Sequence, residues 1–126
     1  MTSSSAKSPN SVGIVVIGRN EEVRLEACLR SALAASAGRP ATRVLYVDSG
    51  STDRSREIAA GVPGVSILEL GPSNAAMARN AGWRSLAAER ILFLDGDMIL
   101  RPGFLPAAEA ALGADVAAVT GSIVEE

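Results

Sequence analysis

Four short, largely apolar runs recur along the chain: Val12–Ile17, Arg43–Val47, Val65–Leu70 and Ile91–Leu94. Each stops at a cluster of turn-forming or polar residues. Their β-branched content and their bounding Gly, Asp and Ser clusters mark them as strands. The segments between them carry helical spacing instead. Leu25, Cys28, Leu29, Ala32 and Leu33 form one buried stripe. That helix is expected to begin near Glu21 and Glu22, whose charges suit a helix amino terminus, and to end at Gly38-Arg39-Pro40. A short helix to Ala60 follows the cluster Asp48 to Asp53, and Gly61-Val62-Pro63-Gly64 turns the chain into the third strand. A helix over about Asn74 to Ala88 is rich in small residues (Ala75, Ala76, Ala78, Ala81, Gly82), which let it approach a sheet closely. A helix over Phe104 to Leu112 and a last strand over Val116 to Val124 complete the pattern. Strands alternating with helices at these lengths predict right-handed βαβ units. The expected fold is α/β, a Rossmann-like, mostly parallel sheet with helices on both faces.

At 126 residues the chain is long enough for one domain with a real core, expected over residues 12–126. The serine-rich residues 1–11 read as a flexible tail and lack the apolar stretch of a signal peptide. A net charge of −2 gives no basic excess for nucleic-acid phosphates, and 3% aromatics give no platform for stacking bases. Cys28 is the only cysteine and histidine is absent, which excludes an intrachain disulfide and zinc sites of the Cys/His kind. No stretch nears the ~20 apolar residues of a membrane span. A cytoplasmic protein is the expectation.

In a parallel sheet every strand opens on the same edge at its carboxyl end, where such folds bind ligands. That gathers Arg19 and Asn20, Asp48 to Asp53, and Asp95 to Asp97 around one mouth. The run Ile91 to Leu94 suits a strand covered on both faces, and it delivers Asp95-Gly96-Asp97 to that edge. With no neighbouring Lys and no His, the two carboxylates repel each other unless a cation sits between them. Hard oxygen ligands select Mg²⁺ or Mn²⁺, whose shell phosphate oxygens usually complete. The plainer alternative is an ordinary Asp-Gly turn. Asp53 reads as turn and cap chemistry. Asp48 either does the same or accepts from a nucleobase N–H, and the sequence supports both. Arg79 either reaches a diphosphate or is a solvated side chain. Asn80 is expected to fix its helix to the sheet, Trp83 and Tyr46 to pack, and Cys28 to be a small core residue.

These residues also carry a resemblance. Val15-Val16-Ile17-Gly18-Arg19-Asn20-Glu21-Glu22, Tyr46-Val47-Asp48-Ser49-Gly50-Ser51-Thr52-Asp53, Ala78-Arg79-Asn80-Ala81-Gly82 and Leu92-Phe93-Leu94-Asp95-Gly96-Asp97 resemble, in order and spacing, the segments of family-two glycosyltransferases. The resemblance implies the GT-A fold and a nucleotide sugar, commonly UDP-linked, lying across the carboxyl edge. It makes Asp48 the acid that contacts uracil and places Ile17, Arg19 and Asn20 beside the base. Asp95, Gly96 and Asp97 become the acid-x-acid motif, with Asp95 and Asp97 holding Mn²⁺ or Mg²⁺ and the ribose-diphosphate. No residue matches the family's general base, and Glu125 and Glu126 read as solvated. The expectation is therefore an incomplete GT-A fold that has the donor-binding part and lacks the acceptor-binding half, with no catalytic residue assigned. The alternatives are a non-catalytic nucleotide-sugar module and a structural or homo-oligomerising fragment. Gly18-Arg19-Asn20 is not a Gly-x-Gly-x-x-Gly turn, and a phosphate-loop lysine is absent, which sets aside a dehydrogenase and a P-loop enzyme.

Overall fold

The computed structural model describes residues 11–111. The elements follow in the order β1 (Val12–Gly18), α1 (Leu25–Ser36), β2 (Thr42–Asp48), α2 (Ser55–Ala60), β3 (Val65–Glu69), α3 (Ala75–Arg84), β4 (Arg90–Asp95) and α4 (Phe104–Ala111). All strand pairings are parallel, and the sheet order is β3-β2-β1-β4. The expected α/β fold is the observed one. The expected strand over Val116 to Val124 lies outside the described residues.

Strand alternation sorts the core into two layers. Ile14 and Val16 of β1, with Val44 and Tyr46 of β2, pack against Leu25, Cys28, Leu29 and Ala32 of α1 and Ala59 of α2. Leu105 of α4 joins that same layer. Val15, Ile17, Leu45 and Val47 face the other way, against Ala78 of α3. Helices thus cover both faces, and β1 is buried along nearly its whole length. The chain steps outward from β1 to β3, then crosses back through α3 to reach β4 on the opposite side of β1. The resulting switch point lies between the carboxyl ends of β1 and β4, where this class of sheet opens a crevice.

Four local expectations are corrected. Helix α1 begins at Leu25, because the Glu21 carbonyl accepts from the Arg24 and Leu25 N–H groups and makes a turn of the preceding residues. Helix α3 stops at Arg84: the Ser85 hydroxyl donates to the Ala81 and Gly82 carbonyls, and the chain turns so that Leu86 and Ala88 lie against Gly13 of β1. Ser11, assigned to the tail by composition, is buried; its hydroxyl accepts from Glu89 N–H at 2.8 Å and its carbonyl from Arg90 N–H at 3.1 Å. Finally, β4 is the outer strand among the described residues, and Phe93 on its α3 side is 39% exposed rather than covered.

The small-residue character of α3 has a measurable basis at Gly82. A Cβ there would lie 2.5 Å from Val15 Cγ1 and 3.2 Å from Val47 Cγ2. Overpacking costs ~1–3 kcal/mol, and the better helix propensity of alanine returns at most about 1 kcal/mol. Gly82→Ala is therefore expected to lower stability by roughly 1–2 kcal/mol in urea unfolding. A stabilised variant would refute the close contact.

Candidate functional site

Register fixes the layout of the mouth. Ile17 pairs with Asp95 across β1 and β4, and Gly18 pairs with Asp48 across β1 and β2. The two acids thus flank β1 at almost the same level, about 10 Å apart by strand spacing. They sit on opposite faces. Asp48 shares the α1 and α2 side with Tyr46, whereas Asp95 shares the α3 side with Val15 and Phe93.

Asp48 is 1% exposed, yet it is fully provisioned. Its Oδ1 accepts from the Tyr46 hydroxyl and the Ser51 hydroxyl, each at 2.6 Å, and its Oδ2 accepts from Ser51 N–H at 2.9 Å. Arg56 stands 4.0 Å from Oδ2 while it pairs with Glu69 at 3.2 Å. Burial alone would raise the Asp48 pKa, but the bonds from Ser51 and Tyr46 outweigh it and hold the carboxyl below its ordinary range. Tyr46 shifts upward, through burial and through donating to a carboxylate. Of the two readings open in the sequence, the turn-building role of Asp48 is made by these contacts.

Around Asp48, the β1–α1 and β2–α2 loops are stitched together. Asn20 adopts a left-handed backbone (φ 56°), and its Oδ1 accepts from Thr52 N–H at 2.7 Å and Asp53 N–H at 3.3 Å. In return, Asn20 N–H donates to Ser51 Oγ, Glu21 N–H to Ser55 Oγ, and Glu22 N–H to Asp53 Oδ2. Arg54 N–H donates to Glu22 Oε1 at 3.0 Å. Asp53 also accepts from Ser55 N–H at 2.9 Å, an Asx turn ahead of α2 and the turn chemistry expected for it. Gly50 (φ 83°) closes the loop where only glycine fits, since a Cβ would fall 2.8 Å from the Pro72 nitrogen.

The acidic turn is held more lightly. Gly96 N–H donates to the Ile17 carbonyl at 2.8 Å and Met98 N–H to the Asp95 carbonyl at 2.9 Å. Gly96 is buried against β1; a Cβ there would lie 3.3 Å from the Ile17 carbonyl oxygen and 3.4 Å from Glu21 Cγ. Beneath the turn, the Cys28 thiol donates to the Asp95 carbonyl at 3.5 Å, and burial pushes its pKa up to about 12. Cys28 is thus a core residue, as its helical position suggested. Asp95 and Asp97 are exposed.

Two neighbours were not evident in the sequence. The Arg79 guanidinium, from α3, lies 3.6 Å from Asp95 Oδ1, so a cation does adjoin the acid pair despite the lack of Lys and His. Glu21, read as a helix-terminal charge, instead borders the acids: partial burial and then the Asp97 charge raise its pKa, and Arg24 only partly offsets them. Trp83 and Asn80 are corrected as well. Trp83 is 42% exposed, its indole N–H donates to Asn80 Oδ1 at 3.3 Å, and Arg84 lies 5.6 Å over its ring. With Ala76, Arg79, Ile91 and Phe93 they line an open groove beside β4.

Among the described residues, no group of three or more His, Cys, Asp or Glu side chains converges to hold a metal. Two exposed, oxygen-only carboxylates do suit a hard divalent cation that takes the rest of its shell from phosphate and water. No helix among the described residues is long and apolar enough to cross a membrane.

Comparison with known proteins agrees with this geometry. Similar folds occur in TarS from S. aureus in complex with UDP-GlcNAc (TM-score 0.70, 24% identity, 81% of this chain and 31% of that chain). The mannosyltransferase PcManGT from Pyrobaculum calidifontis, in complex with GDP-Man and Mn²⁺, gives a TM-score of 0.69 at 24% identity over 82% of this chain and 32% of that chain. Glucosyl-3-phosphoglycerate synthase from Mycobacterium tuberculosis, with Mn²⁺, UDP-glucose and phosphoglyceric acid, gives 0.60 at 25% identity over 85% of this chain and 40% of that chain. The matched region is thus well under half the length of each of these proteins. Among curated proteins, no sequence matches. The family model described as "Glycosyl transferase family 2" matches residues 13–126, and with a parallel sheet that opens at Asp95-Gly96-Asp97, the chain belongs to that glycosyltransferase family and has its GT-A fold.

Proposed function

We propose that this chain binds a nucleoside-diphosphate sugar across the carboxyl edge of its sheet, through a divalent cation, as the donor-binding part of a glycosyltransferase. The observation that carries the reading is the placement of the Asp95-Gly96-Asp97 turn at the switch point, with Asp95 paired in register with Ile17 and approached by Arg79. Asp95 and Asp97 are the ligands for Mn²⁺ or Mg²⁺. Gly96 lets their turn lie against β1. Ile17, Arg19 and Asn20 flank the base, and Arg79 meets the diphosphate. Asp48 holds the Ser49–Thr52 loop beside the base. A direct contact with a uracil ring would use Oδ2, the oxygen with a single hydrogen-bond donor. When bound, the cation offsets the charge that grows on the departing diphosphate as the anomeric carbon is displaced. Residues 12–126 then form one donor domain, and a UDP-linked sugar is the first candidate, since two of the structural neighbours hold uridine nucleotides.

Calorimetric titration of UDP and GDP, with Mn²⁺, with Mg²⁺ and with EDTA, tests this. Metal-dependent binding of one nucleotide supports the reading; no binding to a folded sample overturns it. A second reading, donor binding without turnover, rests on the same acid turn and Arg79. Release of free sugar from UDP-glucose or UDP-GlcNAc by the isolated chain would decide against it.

A further inference from the structure

We propose that Arg79 is an exchangeable counter-ion: it neutralises Asp95 while the cation is absent and transfers to the diphosphate when cation and nucleotide enter together. The inference rests on the donor-site reading above and deepens it. Arg79 Nη2 stands 3.6 Å from Asp95 Oδ1, with the two side chains 42% and 54% exposed. That length is beyond a hydrogen bond, and an exposed ion pair of this kind is worth little, so it breaks easily. Arg79 is the cation paired with the Asp95 carboxylate. A dication placed against Asp95 and Asp97 therefore meets a guanidinium already beside one of its ligands. The two like charges repel, and Arg79 has somewhere to go: its side chain lines the open groove with Ala76, Asn80, Trp83 and Phe93.

The charges show why the two ligands should then cooperate. Arg79 would give up its place beside Asp95 to a dication, and the diphosphate would bring the negative charge that the released guanidinium can grip with paired N–H donors. The cation alone must displace Arg79 without compensation, whereas the cation with nucleotide gives Arg79 a better partner. Arg79 thus weakens binding of the bare cation and strengthens binding of the nucleotide, two effects of opposite sign from one side chain.

The test measures both affinities on the full chain. Mn²⁺ binding without nucleotide is followed by electron paramagnetic resonance, and UDP and GDP binding at saturating Mn²⁺ by calorimetry. In Arg79→Gln, bare Mn²⁺ is expected to bind roughly two- to fivefold tighter. The nucleotide is expected to bind about tenfold weaker or worse. Arg79→Lys, which keeps the charge, should return both values toward wild type. Changes in the same direction, or no change in either, overturn the exchange while leaving the donor site standing. If the wild-type chain binds neither Mn²⁺ nor nucleotide, the donor-site reading falls and the exchange falls with it. Because Arg79 is half exposed, circular dichroism of the variants should match wild type, which separates these outcomes from misfolding.

Discussion

Asp48→Ala is expected to remove about 3–5 kcal/mol of folding stability. The substitution strands the Tyr46 hydroxyl, the Ser51 hydroxyl and the Ser51 N–H in a region where Tyr46 is fully buried and Ser51 is 4% exposed. Each stranded buried donor costs about 1–3 kcal/mol. Relaxation and an entering water recover part of the sum. Against a typical total of about 5–15 kcal/mol, the loss approaches the whole margin. Asp48→Asn should fall between the two, because its carbonyl oxygen still serves the hydroxyls while its amide opposes Ser51 N–H. Urea unfolding measures all three proteins, and a loss below about 1 kcal/mol for the alanine variant would show that the buried network contributes little.

The same carboxylate gives a pH dependence of definite sign. Its folded pKa lies below its unfolded value. The stability it contributes is fully present above the ordinary aspartate pKa near 4 and is lost as pH falls through the lower, folded value. Unfolding midpoints between about pH 5 and 2 should therefore fall more steeply in wild type than in Asp48→Asn. Parallel curves would contradict the assignment.

Asp97→Asn makes the opposite demand. Asp97 is exposed and its charge lies near that of Glu21, so its loss should leave stability within about 0.5 kcal/mol of wild type. Mn²⁺-dependent nucleotide affinity should drop at least about a hundredfold, close to 2.7 kcal/mol. Unchanged affinity would defeat the metal assignment. The pair of variants thus separates an acid that builds the site from an acid that uses it.

Much of this was legible beforehand, and the reasons are local. Strands announce themselves by β-branched runs between glycines and aspartates, so β1 to β4 fall within a residue or so of their expected ends. The four motif segments lie where a parallel sheet must put them. Side-chain partnerships across loops were less accessible. Asn20 and the segment Ser51 to Asp53 are far apart in sequence, and their mutual bonds depend on how two turns meet in space. Arg79 reaches Asp95 only because register puts that acid on the α3 side of the sheet. One missed contact was readable: Tyr46 precedes Asp48 by two positions on a strand, which places both on one face. Trp83 misled because its helical spacing matches a packed stripe, while the face it occupies looks out beside the outer strand.

The two flanks of the mouth differ in how they are held. On the Asp48 side, loop meets loop through reciprocal bonds that include Asn20, Glu22, Ser51, Asp53 and Ser55. On the Asp95 side, the Gly96 N–H to the Ile17 carbonyl is the main tie to β1, and the acids themselves are exposed. The first flank behaves as a fixed jaw whose shape is settled when the chain folds, and the second as a supple jaw with fewer ties to the sheet. Mutation then has unequal freedom across the mouth. Changing what the fixed jaw grips disturbs the fold that holds it, whereas the supple jaw can be retuned one side chain at a time, so a lineage of such domains would diversify at its Asp95 end first.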